Sequence, residues 1–206
     1  MKTPTSRRQD GFTLVELLVV IAIIAVLAGA GFAAGSAAIQ KAKKVTALAT
    51  VVGLESAVNS FYTEYGSMPT TVSTSGDADA PELNTKTDKD FLKIVLGMTE
   101  TTTPAMNTRS VKFLSVKEGK KKGASDGTNG IVYNASGTEI IGLFDPWGGT
   151  YKLKMDTGYD DKLKVKPKGD GSIEVTLNGR KSAAWSDGAD GVDPNVGKAA
   201  DDVKNW

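Results

Sequence analysis

Neither cysteine nor histidine occurs in this chain, and its charges nearly cancel, with 25 Lys and Arg against 24 Asp and Glu. Without cysteine no disulfide braces the fold, and cysteine usage says nothing about redox compartment. Without histidine the chain lacks the usual general base, the Ser-His and Cys-His nucleophile pairs, and every His- or Cys-based zinc site. A carboxylate enzyme remains possible, but most familiar hydrolase chemistry is excluded. The adjacent acids Asp160-Asp161 and Asp201-Asp202 have the composition of solvated loops, so a protein without catalytic activity is expected. A net charge of +1 gives no reason to expect nucleic acid as a partner.

One long apolar run dominates the N-terminal quarter. After a polar start containing Lys2, Arg7 and Arg8, no charge occurs from Leu17 to Gly35. A helix of that length covers about 29 Å at ~1.5 Å per residue, enough to cross the hydrocarbon of a bilayer. A buried core helix seldom has such a run, and a cleaved secretory h-region is usually shorter and ends at one small-residue site. Glu16, one turn inside the expected membrane-spanning helix, is costly in lipid and so calls for a partner or a function. Cutting the chain after Gly11 supplies a partner: Phe12 becomes the N-terminus, and its amine lies i to i+4 from Glu16. The carboxylate then compensates the amine of its own or an adjacent subunit, and it sits near the positive end of the helix dipole. The alternative is that Glu16 snorkels to the headgroups beside an uncut leader.

The run Gly11-Phe12-Thr13-Leu14-Val15-Glu16-Leu17-Leu18-Val19-Val20-Ile21 resembles the class III signal of type IV pilins and pseudopilins. The resemblance implies cleavage between Gly11 and Phe12 by a prepilin peptidase, N-methylation of Phe12, and a role for Glu16 in assembly. It also implies a single-pass protein of the bacterial inner membrane with its C-terminal domain in the periplasm. The basic residues on the two flanks (Lys2, Arg7 and Arg8 against Lys41, Lys43 and Lys44) do not settle orientation by themselves. Asp10 stands where the family often has a basic residue. The proline common in the middle of the family's membrane half is missing; Gly29, Gly31 and Gly35 loosen the helix instead.

Val45, Leu48, Val51, Val52, Val58, Phe61, Tyr62 and Tyr65 continue the helix as an apolar stripe, which should stop near Gly66 with Pro69 beyond. Phe12 to Tyr65 predicts a rod of about 80 Å at ~1.5 Å per residue. Asp88 should cap a short second helix carrying Phe91, Leu92, Val95 and Leu96 and closed by Gly97. Strands are expected at Val111–Val116, Ile131–Tyr133, Ile140–Phe144, Tyr151–Met155 and Ile173–Leu177, with Lys117–Asn129 and Asp156–Gly171 as exposed connections. The fold class is α+β: a long N-terminal membrane-spanning helix packed on a small antiparallel β-sheet head of the type IV pilin kind. Its expected divisions are a leader (1–11), a transmembrane and assembly half-helix (12–36), and a periplasmic globular domain (37–206).

Asp145-Pro146-Trp147-Gly148-Gly149 is a turn by composition. It also resembles the DPWG turn of the major pseudopilins of type II secretion systems, as Phe61-Tyr62 with Gly66 and Pro69 resembles their helix exit. Near the C-terminus, aspartates among glycines suit an oxygen-seeking cation such as Ca²⁺, although the spacing is not that of an EF-hand. The resemblance implies Ca²⁺ held by Asp190, Asp201 and Asp202 with backbone carbonyls near Ser186. It further implies a homopolymer that forms a periplasmic pseudopilus for protein export. The partners would be the inner-membrane secretion assembly platform, minor pseudopilins and, before assembly, membrane lipid. The alternative is a type IV pilus subunit used in adhesion or motility. Many such pilins close their C-terminal region with a disulfide, which this chain lacks.

Overall fold

The computed structural model describes residues 12–71, 79–100, 104–165, 174–191 and 202–206. The chain divides into two compact units, residues 1–42 and 43–206, and one helix, α1 (Leu14–Tyr65), contributes to both. In the first unit the large apolar side chains from Phe12 to Leu27, together with Phe32 and Ile39, are exposed. A helix this long and apolar meets the requirement for crossing a membrane. It ends where glycine permits a left-handed residue: Gly66 has φ +71°, and its N–H donates to the Tyr62 carbonyl at 2.8 Å.

In the second unit the helix is amphipathic, but its buried stripe differs from the expected one. Ala47, Val51, Leu54, Ala57, Val58 and Phe61 are fully buried, whereas Val45, Leu48 and Val52 are 66%, 41% and 48% exposed. At 3.6 residues per turn, positions 45, 48 and 52 share a face rotated away from 47, 51, 54 and 58. One apolar run thus contains two stripes, and the head covers only one.

Among the described residues the head carries a second helix, α2 (Lys89–Leu96), and ten short strands. Gly97 closes α2 in the left-handed conformation (φ +67°), with its N–H on the Ile94 carbonyl and that of Met98 on the Lys93 carbonyl. The expected cap is corrected. Asp88 makes no cap bond to α2, because its Oδ2 is taken from behind by the Asn84 N–H (2.7 Å) and the Thr87 hydroxyl (2.9 Å).

The principal sheet is antiparallel, in the order β1 (Leu83–Asn84), β6 (Tyr151–Met155), β9 (Ser182–Ser186), β10 (Val203–Lys204). Three hairpins accompany it: β2 (Lys120–Lys122) with β3 (Asp126–Thr128), β4 (Gly130–Tyr133) with β5 (Ile140–Phe144), and β7 (Lys162–Val165) with β8 (Val175–Asn178). Tyr151, Leu153 and Met155 alternate inward from β6 into a core shared with α1 and α2, and Ala184 of β9 joins them. Burial pushes the Tyr151 phenol well above its usual pKa. All five residues of β9 are buried, because β7–β8 covers its other face with Leu163 and Val165 packed on Ala183 and Trp185. Buried Thr85 ties the β4–β5 hairpin to this sheet: its Oγ1 donates to the Leu143 carbonyl at 2.7 Å and accepts from the Tyr151 N–H at 3.0 Å.

Three further expectations are corrected. Val111–Val116 is extended but not a strand. Its Phe113 and Leu114 N–H groups both donate to the Val95 carbonyl at the end of α2, and Phe113 packs edge-on against Phe61 and Tyr65, so no ladder forms. Lys117–Asn129 contains the β2–β3 hairpin rather than only a connection. Asp156–Gly171 contains β7, whose alternation was concealed by flanking lysines. Ile173 lies outside the described residues.

Candidate assembly site

Among the described residues, two places carry chemistry beyond packing: the first turn of α1 and the end of the head where β9 meets the turn after β5. At the first, Thr13 and Glu16 form a reciprocal capping box. The Thr13 N–H and hydroxyl both donate to Glu16 Oε2 (2.8 and 2.7 Å), and the Glu16 N–H donates to Thr13 Oγ1 at 3.2 Å. The T-x-x-E spacing that produces this motif is readable in the sequence, and the assignment of Glu16 to the terminal amine overlooked it. Both groups are exposed, and Glu16 Oε1 takes no hydrogen bond among the described residues. The carboxylate therefore supports its own helix start with one oxygen and presents the other outward. Phe12 precedes the helix with its ring 81% exposed, while Gly11 and the leader 1–11 lie outside the described residues.

At the second place Asp145 is the organising residue. It is 1% exposed, and its Oδ1 accepts from the N–H groups of Trp147 (2.9 Å), Gly148 (2.8 Å) and Gly149 (2.9 Å). Its Oδ2 accepts from the buried Ser186 hydroxyl at 2.6 Å. Gly148 stands at φ +106°, a conformation that side chains rarely adopt. The same Ser186 Oγ accepts from the Gly188 N–H at 3.2 Å, so one carboxylate joins the β5–β6 turn to the turn that follows β9.

The residues expected to hold Ca²⁺ fall in this neighbourhood. Asp190 lies in the turn after β9, and the Val203↔Ser186 register places Asp202 across from Asp187. Asp187 also forms an ion pair with Lys152 at 3.2 Å. Asp201 lies outside the described residues, and among those described no three acidic side chains form a metal-binding group. The C-terminal residues also make contacts that the sequence did not announce. Asn205 Nδ2 donates to Glu55 Oε2 on α1 (2.8 Å), and Asn205 Oδ1 accepts from the Ala184 N–H (3.2 Å). Arg180 pairs with the other Glu55 oxygen at 3.2 Å, and Trp206 stands edge-on to Trp185.

Residues 6–32 match the model of the prokaryotic N-terminal methylation motif. The chain is 33% identical over 78 residues to a fimbrial protein of Neisseria meningitidis serogroup A, covering 38% of this chain and 46% of that protein. It is 32% identical over 103 residues to the type IV major pilin protein PilE of Neisseria gonorrhoeae, covering 50% of this chain and 59% of that pilin. The chain thus spans about half the length of the curated relatives it matches. No solved structure matches it. The methylation motif at the start of a long apolar helix, together with these likenesses to Neisseria pilins, supports a type IV pilin-like family for this chain.

Proposed function

We propose that this chain is a polymerising subunit of a type IV pilus-type filament and not a catalyst. The observation that carries the reading is the methylation motif over residues 6–32, with Glu16 in the first turn of α1. In this reading a prepilin peptidase cuts between Gly11 and Phe12, the Phe12 amine is methylated, and the apolar helix anchors the subunit. The head would lie in the periplasm until assembly. The uncovered stripe of Val45, Leu48 and Val52 suits burial against a second copy, since contiguous exposed apolar surface favours association. That the named relatives are pilins of Neisseria favours a surface pilus over a secretion pseudopilus.

A specific observation supports the pseudopilus as a second reading: the Asp145 turn is bonded to Ser186 at 2.6 Å, giving the C-terminal region an anchor in a chain without cysteine. In that case the partners are the secretion assembly platform and minor pseudopilins. Deleting the gene separates the two. Loss of surface filaments with normal export supports the pilus, and an export defect supports the pseudopilus. Terminal mass spectrometry of membrane-extracted protein tests their common basis. A methylated Phe12 terminus is expected, and an intact Met1 in cells with active peptidase would sink both.

Calcium belongs to this proposal. Asp190, Asp201 and Asp202 would hold it with carbonyl oxygens near Ser186, an all-oxygen set of the kind Ca²⁺ prefers. The cation would offset the like charges of Asp190, Asp201 and Asp202. A ligand that binds only the folded state adds RT ln(1 + [L]/Kd), about 2.7 kcal/mol at a hundredfold excess over Kd. Full-length protein in detergent should melt about 5–10 °C lower in chelator than in millimolar Ca²⁺. Asp202→Ala should remove most of that difference. Identical melting in both solutions rules the site out.

A further inference from the structure

We propose that Asp79 and Asp156 form a proton-operated latch inside the head. The chain at Asp79 and Ala80 binds the β6–β7 connection tightly when Asp79 carries a proton and more loosely when it is ionised.

The connection, residues 156–161, is built around one carboxylate. Asp156 is 1% exposed, and its two oxygens accept from the N–H groups of Asp160 (3.3 Å) and Asp161 (3.1 Å). Its own N–H donates to the Lys181 carbonyl at 2.9 Å, beside the start of β9. Within this frame Tyr159 stands at φ +56°, a left-handed conformation that side chains seldom adopt. From there its phenol accepts from the Met68 N–H at 3.1 Å, and its ring lies against Tyr62 of α1. The connection thus grips the exit of α1, and the strain at Tyr159 is held by Asp156.

Asp79 and Ala80 rest on the same connection. The Ala80 N–H donates to Thr157 Oγ1 at 2.6 Å, and Ala80 is 1% exposed. The Asp79 carboxyl accepts from the backbone N–H groups of Lys164 and Gly158. Its Oδ1, however, is buried and takes no hydrogen bond among the described residues. A buried oxygen without a donor is costly on an ion and far less so on a neutral acid. Burial, chiefly, and the charge of Asp156 push the Asp79 carboxyl above its usual pKa, against the two N–H groups and the charge of Lys154 on β6. Asp160 and Asp161 add acid to the same connection. The Lys164 ammonium is turned to Glu174 (3.8 Å), and that of Lys181 lies 4.3 Å over the Tyr62 ring.

The sign follows from linkage. The docked chain holds the Asp79 proton more strongly than the unfolded chain does. Its stabilising contribution is therefore complete below the ordinary aspartate pKa, about 3.9, and is lost as pH rises through the raised folded value. At neutral pH the ion stays docked at a cost, and acid removes that cost.

The test melts full-length protein in detergent and chelator between pH 4 and pH 7, beside Asp79→Asn. Asparagine keeps an acceptor for Lys164 and Gly158 but has no charge at any pH. The variant should melt together with the unsubstituted protein at pH 4 and about 2–4 °C above it at pH 7. Hydrogen exchange at the Ala80 amide, corrected for its intrinsic rate, should show protection that rises severalfold from pH 7 to pH 5 in the unsubstituted protein. In Asp79→Asn that protection should not change with pH. A melting difference of the same size at pH 4 and pH 7 overturns the proposal, because a purely structural carboxyl does not follow its proton. So does an Asp79→Asn variant that melts below the unsubstituted protein at pH 7.

Discussion

Replacing Asp145 with Ala is expected to destabilise the head by about 4 kcal/mol and to lower its melting temperature by about 10 °C. The carboxylate is buried and accepts four hydrogen bonds, three from consecutive backbone N–H groups and one from Ser186. Alanine leaves those donors inside the protein without an acceptor, and a buried orphaned polar group costs about 1–3 kcal/mol. The donors lie side by side and can partly share a water molecule, so the total is expected below their sum. Two companion variants separate the contributions. Asp145→Asn keeps an oxygen for the three N–H groups and changes only the Ser186 contact, so about 1–2 kcal/mol is expected. Ser186→Ala removes the tie from the other side, and its effect should largely vanish in an Asp145→Ala background. If thermal denaturation of Asp145→Ala shows a loss under about 1 kcal/mol, the turn is not what holds this end of the head.

The second large effect belongs to Glu16. Substituting alanine should leave membrane insertion intact and reduce filament assembly on the order of a hundredfold. The magnitude follows from leaving an uncompensated charge in hydrocarbon, about 2.5–3.5 kcal/mol on insertion scales. The capping box complicates any simple reading of this variant, because Glu16 also holds the Thr13 N–H and hydroxyl at 2.8 and 2.7 Å. Losing a cap costs about 1 kcal/mol and frays the first turn whatever the charge does. Glutamine at position 16 separates the roles, since it supports a capping box as glutamate does but carries no charge. Glu16→Gln should fail to assemble as Glu16→Ala does, while Thr13→Ala, which keeps the charge and loses part of the box, should assemble. Filament yield by immunoblot of sheared fractions reads all three. Normal assembly by Glu16→Gln would show that the helix cap, and not compensation of the Phe12 amine, is what assembly requires.

Each of these predictions draws differently on sequence and structure. The apolar run from Leu17, the Thr13-x-x-Glu16 spacing and the glycines that end α1 and α2 are local features, and local chemistry is enough to read them. A stretch that long and uncharged has few alternatives to a helix in lipid, and Gly66 and Gly97 stop helices because they alone adopt positive φ cheaply. Ile140–Phe144 and Tyr151–Met155 were legible for a similar reason, since alternation or continuous burial follows from the strand itself.

What needed the tertiary structure was every choice among equivalent local signals. Val45, Leu48 and Val52 are as apolar as Val51, Leu54 and Val58, and only the position of β6 and α2 decides which stripe becomes core. Val111–Val116 has a strand's composition, but it meets the end of α2 and two aromatic rings instead of a partner strand. Conversely, β7 became a strand because Trp185 and Ala183 needed cover. The bonds from Asp145 to Ser186 and from Asn205 to Glu55 join residues 41 and 150 positions apart. No periodicity encodes such pairs, because their partners are brought together only when the sheet closes on the helix. The sequence alone determined a methylation motif and a helix long and apolar enough to cross a membrane. The packed head decided which of its apolar and charged surfaces remain exposed.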